Sequence, residues 1–171
     1  MTDYQQYFNE THNMARQTIK KFVGKHVLPY VNDWEEEGGF PRELYKTAGA
    51  AGLLGIGFPE EFGGTSEGDV FMLVAMNEEL MRTTSGGLIA SLGSLNIGLP
   101  PVIKWGSQAM KNRIVEPVLK GEKISALAIT EPSGGSDVAN LQTRAVKEGE
   151  FYRVNGSKTF ITSGIRADYY T

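Results

Sequence analysis

The sequence predicts an α+β protein: an all-α helical bundle followed by the opening of an antiparallel, β-barrel-like domain. Three observations predict it. Apolar residues recur three or four apart through the first two-thirds of the chain, the spacing of one helix face. Beyond about residue 124 the pattern shortens toward alternation, with β-branched and aromatic residues gathered in short runs. Gly121 falls just before this change and stops the last helical stripe. The division is therefore residues 1–123, helical, and residues 124–171, the beginning of a β-domain.

The elements follow in order. In residues 4–34, Phe8, Met14, Ile19, Phe22, Val23, Val27 and Val31 form a helical stripe, with a kink or break expected at Gly24 or Pro29. Pro41 can open a second helix over residues 42–51, which Gly52 ends. Residues 59–68 are turn chemistry throughout. Val70, Leu73, Val74, Asn77, Leu80 and Met81 mark a third helix and its apolar face. Residues 85–97 are nearly uncharged and apolar all round, which predicts burial. Pro100 and Pro101 restart a short helix ending at Gly106. Ser107 caps the next, with Met110, Ile114, Val115, Val118 and Leu119 as its stripe.

The β region begins with a strand over residues 124–130, and residues 143–147 alternate. Asn155-Gly156 signals a hairpin, because both turn positions favour positive φ. Residues 169–171 open another apolar strand at the end of the chain, so the chain reads as the front part of a longer protein.

Bulk properties narrow the functional classes. The 171 residues are 40% hydrophobic, enough for a packed core. Net charge is −3 and no basic block occurs, which argues against a nucleic-acid or anionic-membrane surface. The absence of cysteine removes thiolate catalysis, disulfides and cysteine metal sites. No secretory or transit leader is legible at the N-terminus, and no uninterrupted apolar run approaches the ~20 residues of a membrane helix. A cytoplasmic location is the expectation. His12 and His26 lie far apart without clustered carboxylates, so no metal site is expected and both read as surface residues.

The chemistry-bearing stretch is Ala128-Ile-Thr-Glu-Pro-Ser-Gly-Gly-Ser-Asp137. A strand-like run enters a Pro/Gly turn that offers small hydroxyls and consecutive N–H groups, a nest suited to a phosphate. It lacks the G-x-G-x-x-G spacing, which disfavours a Rossmann site. Glu131 and Asp137 suit structural roles within it: Asp137 as a turn or helix cap, Glu131 as a hydrogen-bond acceptor.

The order of helical bundle, Thr130-Glu-Pro-Ser-Gly-Gly-Ser-Asp137 and then Lys158-Thr-Phe-Ile-Thr-Ser-Gly164 resembles the acyl-CoA dehydrogenase family of flavoproteins. Phe58-Pro-Glu-Glu-Phe-Gly-Gly64 and Pro117-Val-Leu-Lys-Gly-Glu122 extend the resemblance over the whole chain. Two departures stand out: Asn140, where a small residue is common, and Phe160, where many members carry Trp. The resemblance implies FAD as cofactor and α,β-dehydrogenation of an acyl-CoA thioester, with a catalytic Glu located beyond Thr171. It implies that Leu127, Ile129 and Thr130 meet the flavin pyrimidine end, and that Gly135 and Ser136 contact the pyrophosphate or the CoA arm. Phe160 and Ile161 would pack on the ring, with Thr162 near N5. Ile89, Ala90 and Gly93 would line the acyl pocket, the small size of Ala90 and Gly93 pointing to a long or branched chain or, equally, to close helix packing. An electron-transfer flavoprotein partner and a homotetramer are further implications. The competing readings are an acyl-CoA oxidase or flavin monooxygenase of the same fold, and a non-catalytic helical binding fragment.

Overall fold

The computed structural model describes residues 4–65 and 69–171, and the last part of the expected 59–68 loop lies outside them. The helices are α1 (Glu10–His26), α2 (Val31–Glu37), α3 (Glu43–Ala50), α4 (Val70–Leu80), α5 (Gly86–Leu92), α6 (Leu95–Trp105) and α7 (Gln108–Leu119). The strands are β1 (Ser125–Ala126), β2 (Arg144–Glu148), β3 (Phe151–Asn155) and β4 (Tyr169–Tyr170). The α+β expectation holds: helices first, a short β region after.

Local chemistry sets the boundaries. Asn9 and His12 form a reciprocal capping box: the Asn9 side chain accepts the His12 N–H, and the His12 ring accepts the Asn9 N–H. His12 is therefore buried, not a surface residue as expected, with its Nε2 2.9 Å from Asp69, the N-cap of α4. Gly24 remains inside α1, and the break falls at Pro29. Gly38 ends α2 in the left-handed conformation at φ 76°. Ser107 caps α7 by accepting the Met110 N–H.

The core gathers one face of each helix. Ile19, Phe22 and Val23 of α1 join Leu44 and Ala48 of α3, Leu99 of α6, and Val115 and Val118 of α7. α3 sits against the end of α7 at Gly121, whose φ is +71° and where an added Cβ would lie 2.0 Å from the Tyr45 carbonyl oxygen.

Four expectations need correction. In α4, Ala75, Met76, Glu79 and Leu80 are buried, whereas Val70 and Met81 are 63% and 59% exposed. The helix is apolar on both sides, so spacing could not select the inward face. Burial of residues 85–97 is likewise incomplete, since Ile97 is 54% exposed. α6 passes through Pro100 and Pro101 without restarting; the carbonyls these prolines leave unpaired, on Asn96 and Ile97, belong to exposed residues that water can satisfy. With α5 it forms a stretch, Gly86–Trp105, of 20 residues and mean hydropathy 1.4, long and apolar enough to cross a membrane by length and composition. One third of that stretch is buried within the protein.

The fourth correction is the hairpin. β2 and β3 pair antiparallel, with Glu148 opposite Phe151, so the turn is Gly149-Glu150 and not Asn155-Gly156. Gly149 takes φ 60°, as a two-residue hairpin turn requires. Gly156 serves space instead: a Cβ there would lie 2.1 Å from the Thr143 hydroxyl oxygen. The remaining strands pair in parallel, Ser125 with Tyr169 and Ala126 with Tyr170.

Candidate functional site

A tight turn follows β1. Glu131 and Gly134 exchange both backbone hydrogen bonds, each at 3.0 Å, which closes Glu131-Pro132-Ser133-Gly134 into a loop. Gly135 then lies against Thr130, where an added Cβ would come 3.2 Å from the Thr130 methyl. Thr130 therefore covers Gly135 on that side, whereas an added Cβ on Gly134 would meet nothing within 4 Å. The N–H groups of Leu127, Ile129, Thr130, Gly135 and Ser136 donate to no group among the described residues.

Glu131 anchors the turn from within. Its side chain is 3% exposed and accepts from the Gln142 N–H at 2.6 Å, the Thr143 N–H at 2.9 Å and Lys158 Nζ at 2.9 Å. These surroundings lower its pKa to about 2: the Thr143 side chain has the largest influence, followed by Lys158 and the two amides. The Thr143 hydroxyl lacks a partner in hydrogen-bond geometry, so the directional contacts are those of Lys158 and the amides. An ion so firmly paired is no proton acceptor, and Glu131 is a structural acceptor as the sequence indicated. Asp137 is exposed at the start of a 3₁₀ turn, Val138–Asn140, where its side chain caps no backbone N–H but accepts from the Asn140 side-chain amide.

Lys158 also donates to the Ile129 carbonyl at 2.8 Å, and the Thr159 N–H donates to the Thr130 carbonyl at 2.9 Å. These bonds bring the second motif beside the first. The next residues are strained: Phe160 and Ser163 have φ 54° and 62° without being glycine. Phe160 presents a ring that is 92% exposed. Ile161 is half-buried and Thr162 is exposed.

A cleft of about 870 Å³ opens between this loop and the helices. Ala128, Lys158, Phe160 and Ile161 line one side, and Trp34, Phe40, Gly87, Leu88 and Ser91 the other. Phe160 and Ile161 thus reach it among the expected residues. Thr130 and Gly135 form the adjoining turn. Ser136 and Thr162 are exposed beside it, off the cleft wall. Ile89, Ala90 and Gly93 do not line it; α5 turns Gly87, Leu88 and Ser91 toward it instead.

Sequence reasoning did not single out Lys158, Tyr45, Arg42, Arg166 or Asp168. Lys158 stands inside the second motif and could have been found there; the others carry no local signal. Arg42 donates to the Arg166 carbonyl and pairs with Asp168, while Arg166 donates to the Phe40 carbonyl and lies 4.5 Å over the Phe40 ring. Asp168 also accepts from the Ile124 N–H and pairs with Lys123. Burial would raise the Asp168 pKa, but the Ile124 N–H, Arg42 and Lys123 outweigh it and lower it on balance.

A bundle that meets a β-turn with free N–H groups across an apolar cleft defines a ligand-binding protein with its site at the junction. The N-terminal domain of acyl-CoA dehydrogenase matches residues 9–122, and the middle domain matches residues 126–171. The chain belongs to the acyl-CoA dehydrogenase family. It is 36% identical over 161 residues to the mitochondrial long-chain specific acyl-CoA dehydrogenase of Sus scrofa, covering 94% of this chain and 37% of that protein. It is 38% identical over 157 residues to the short-chain specific acyl-CoA dehydrogenase of Clostridium acetobutylicum, covering 91% of this chain and 41% of that one. The Bacillus anthracis acyl-CoA dehydrogenase complexed with FAD superposes with a TM-score of 0.86 at 33% identity, over 96% of this chain and 28% of that one. The chain therefore spans about two-fifths of the length of the curated relatives it matches.

Proposed function

We propose that this chain supplies the helical domain and the coenzyme-facing turns of an FAD-dependent acyl-CoA dehydrogenase. The observation that carries the reading is Phe160, an aromatic ring 92% exposed and held in a strained conformation at the mouth of the cleft. Strain of about 1–3 kcal/mol persists where the surroundings enforce it, and a large exposed apolar ring there is accounted for by a flat partner.

The donor set fits a flavin. Free N–H groups at Leu127, Ile129 and Thr130 suit the carbonyl-rich pyrimidine edge, with the Thr130 hydroxyl beside them. Gly135 and Ser136 offer N–H groups and a side-chain hydroxyl, as a pyrophosphate or the CoA arm requires. Phe160 and Ile161 give the ring its apolar floor, and Thr162 a hydroxyl near N5. Bound FAD would accept a hydride from the acyl β carbon. The acyl chain would enter the cleft along Gly87, Leu88 and Ser91, which align it and exclude water. The proton acceptor for the α carbon is assigned to a Glu C-terminal to Thr171, electron-transfer flavoprotein to reoxidation, and a homotetramer to the assembly.

The test is the full-length protein, purified gently. It should be yellow with one FAD per chain and bleach anaerobically on adding an acyl-CoA. A colourless protein that added FAD cannot reconstitute would overturn the reading.

Phe160→Gly separates strain from binding. Glycine relieves the positive φ, so the fold should gain about 0.5–1 kcal/mol, read as a higher melting temperature. Loss of the ring should weaken FAD binding roughly three- to tenfold by titration. The two effects run in opposite directions, as expected where strain is kept for function.

A further inference from the structure

Tyr45 is buried on α3, behind the wall of the cleft, yet its hydroxyl is fully engaged. It lies 3.0 Å from the Ser91 carbonyl oxygen on α5 and 3.3 Å from the Ser163 hydroxyl oxygen. A carbonyl can only accept, so the Tyr45 proton points to Ser91 and the Ser163 hydroxyl must donate to Tyr45. The result is a directed chain, Ser163 to Tyr45 to Ser91, that joins the strained loop, α3 and α5. Ser91 and Ser163 both face the cleft.

The loop is held at its two ends by other groups. Lys158 and Thr159 fasten the near end to Ile129 and Thr130. The Arg42 bond to the Arg166 carbonyl and the Tyr170 bond to the Gly164 carbonyl fasten the far end. Between them, Phe160 and Ser163 both sit at positive φ, and among the described residues Tyr45 is the hydrogen bond from the bundle to this middle stretch.

We infer that Tyr45 is a positioning residue that fixes the loop carrying Phe160 and couples its placement to α5. Only the hydroxyl does this, since a phenylalanine would fill the same space. Burial pushes the Tyr45 pKa up, against the smaller opposing influences of Ser163, Arg166 and Arg42, so the donor proton is retained. The hold on the loop stands on geometry alone; its consequence for the coenzyme rests on the function proposed above.

The experiment is amide hydrogen exchange on the full-length protein without added FAD, for Tyr45→Phe, Ser163→Ala and the double variant. Tyr45→Phe should speed exchange about fivefold at Gly164, Arg166 and Ala167, whose N–H groups are bonded to the Ile161 and Ser163 carbonyls, and leave α1 and α7 unchanged. Ser163→Ala should do the same, and the double variant should add little, because both cut one link. With FAD added, the dissociation constant should rise by a similar factor and the visible absorption band should shift. Unchanged exchange at Gly164, Arg166 and Ala167 in Tyr45→Phe, or acceleration spread evenly over the whole chain, would overturn the inference; if Tyr45→Phe fails to fold, Ser163→Ala decides. A parent protein that binds no FAD would defeat the proposed function, while the exchange data still judge Tyr45.

Discussion

Gly121→Ala should destabilise the helical bundle by about 2–5 kcal/mol in urea or thermal unfolding. The figure adds about 1–2 kcal/mol for a side chain in the left-handed region to about 1–3 kcal/mol for overpacking. Both apply, because φ is +71° and the new methyl would sit 2.0 Å from the Tyr45 carbonyl oxygen. Backbone cannot rotate aside as a flexible side chain can, so α3 must move off the end of α7. That movement would carry Tyr45 with it and loosen the loop at Ser163. An alanine variant as stable as the parent would show that α3 and α7 do not meet as described.

Glu131→Gln should release the turn after β1 while sparing the helices. The Gln142 and Thr143 N–H groups donate to different carboxylate oxygens, and an amide replaces one of these with an NH2 that cannot accept, so one N–H is left unpaired and Lys158 loses its counter-charge. The full-length protein should bind FAD about tenfold more weakly or worse, since hydrogen bonds to a charged group exceed neutral ones. Amide exchange should rise over residues 130–143 with α1 and α7 unaffected. The pH dependence follows from the same carboxylate. Its folded pKa, about 2, lies below the ordinary 4.5, so the unfolded chain binds more protons between those values. Its contribution to stability is complete above pH 4.5 and is lost as pH falls through about 2. In the parent, the turn should loosen across that window; in Glu131→Gln this acid-sensitive component should vanish.

Much of this was legible in the sequence where local chemistry decides the outcome. Ser107, Gly52 and Gly121 mark helix boundaries that the structure keeps, because caps and left-handed glycines act within one turn of chain. The two motifs were also legible, since short turns display their donors through residue type. What failed was phase. α5 is seven residues long, and which of its residues face the cleft, Gly87, Leu88 and Ser91, is set by a helix phase that spacing alone does not fix. α4 offers apolar residues on every side, so only its neighbours choose which are buried. The turn at Gly149-Glu150 beat Asn155-Gly156 because Gly156 must pass close to Thr143, a contact set by the tertiary fold. Tyr45 left no trace, for its partners lie 46 and 118 residues away.

The β2–β3 ribbon has a practical consequence. All of its strand residues are exposed, Phe151, Tyr152, Val154 and Val146 among them, at 78%, 66%, 63% and 54%. Such a ribbon, carrying exposed aromatic and β-branched residues and open along its outer backbone, can recruit further strands. The isolated polypeptide should therefore self-associate with rising concentration, and charged substitutions at Val146, Phe151, Tyr152 and Val154 should suppress it in light scattering.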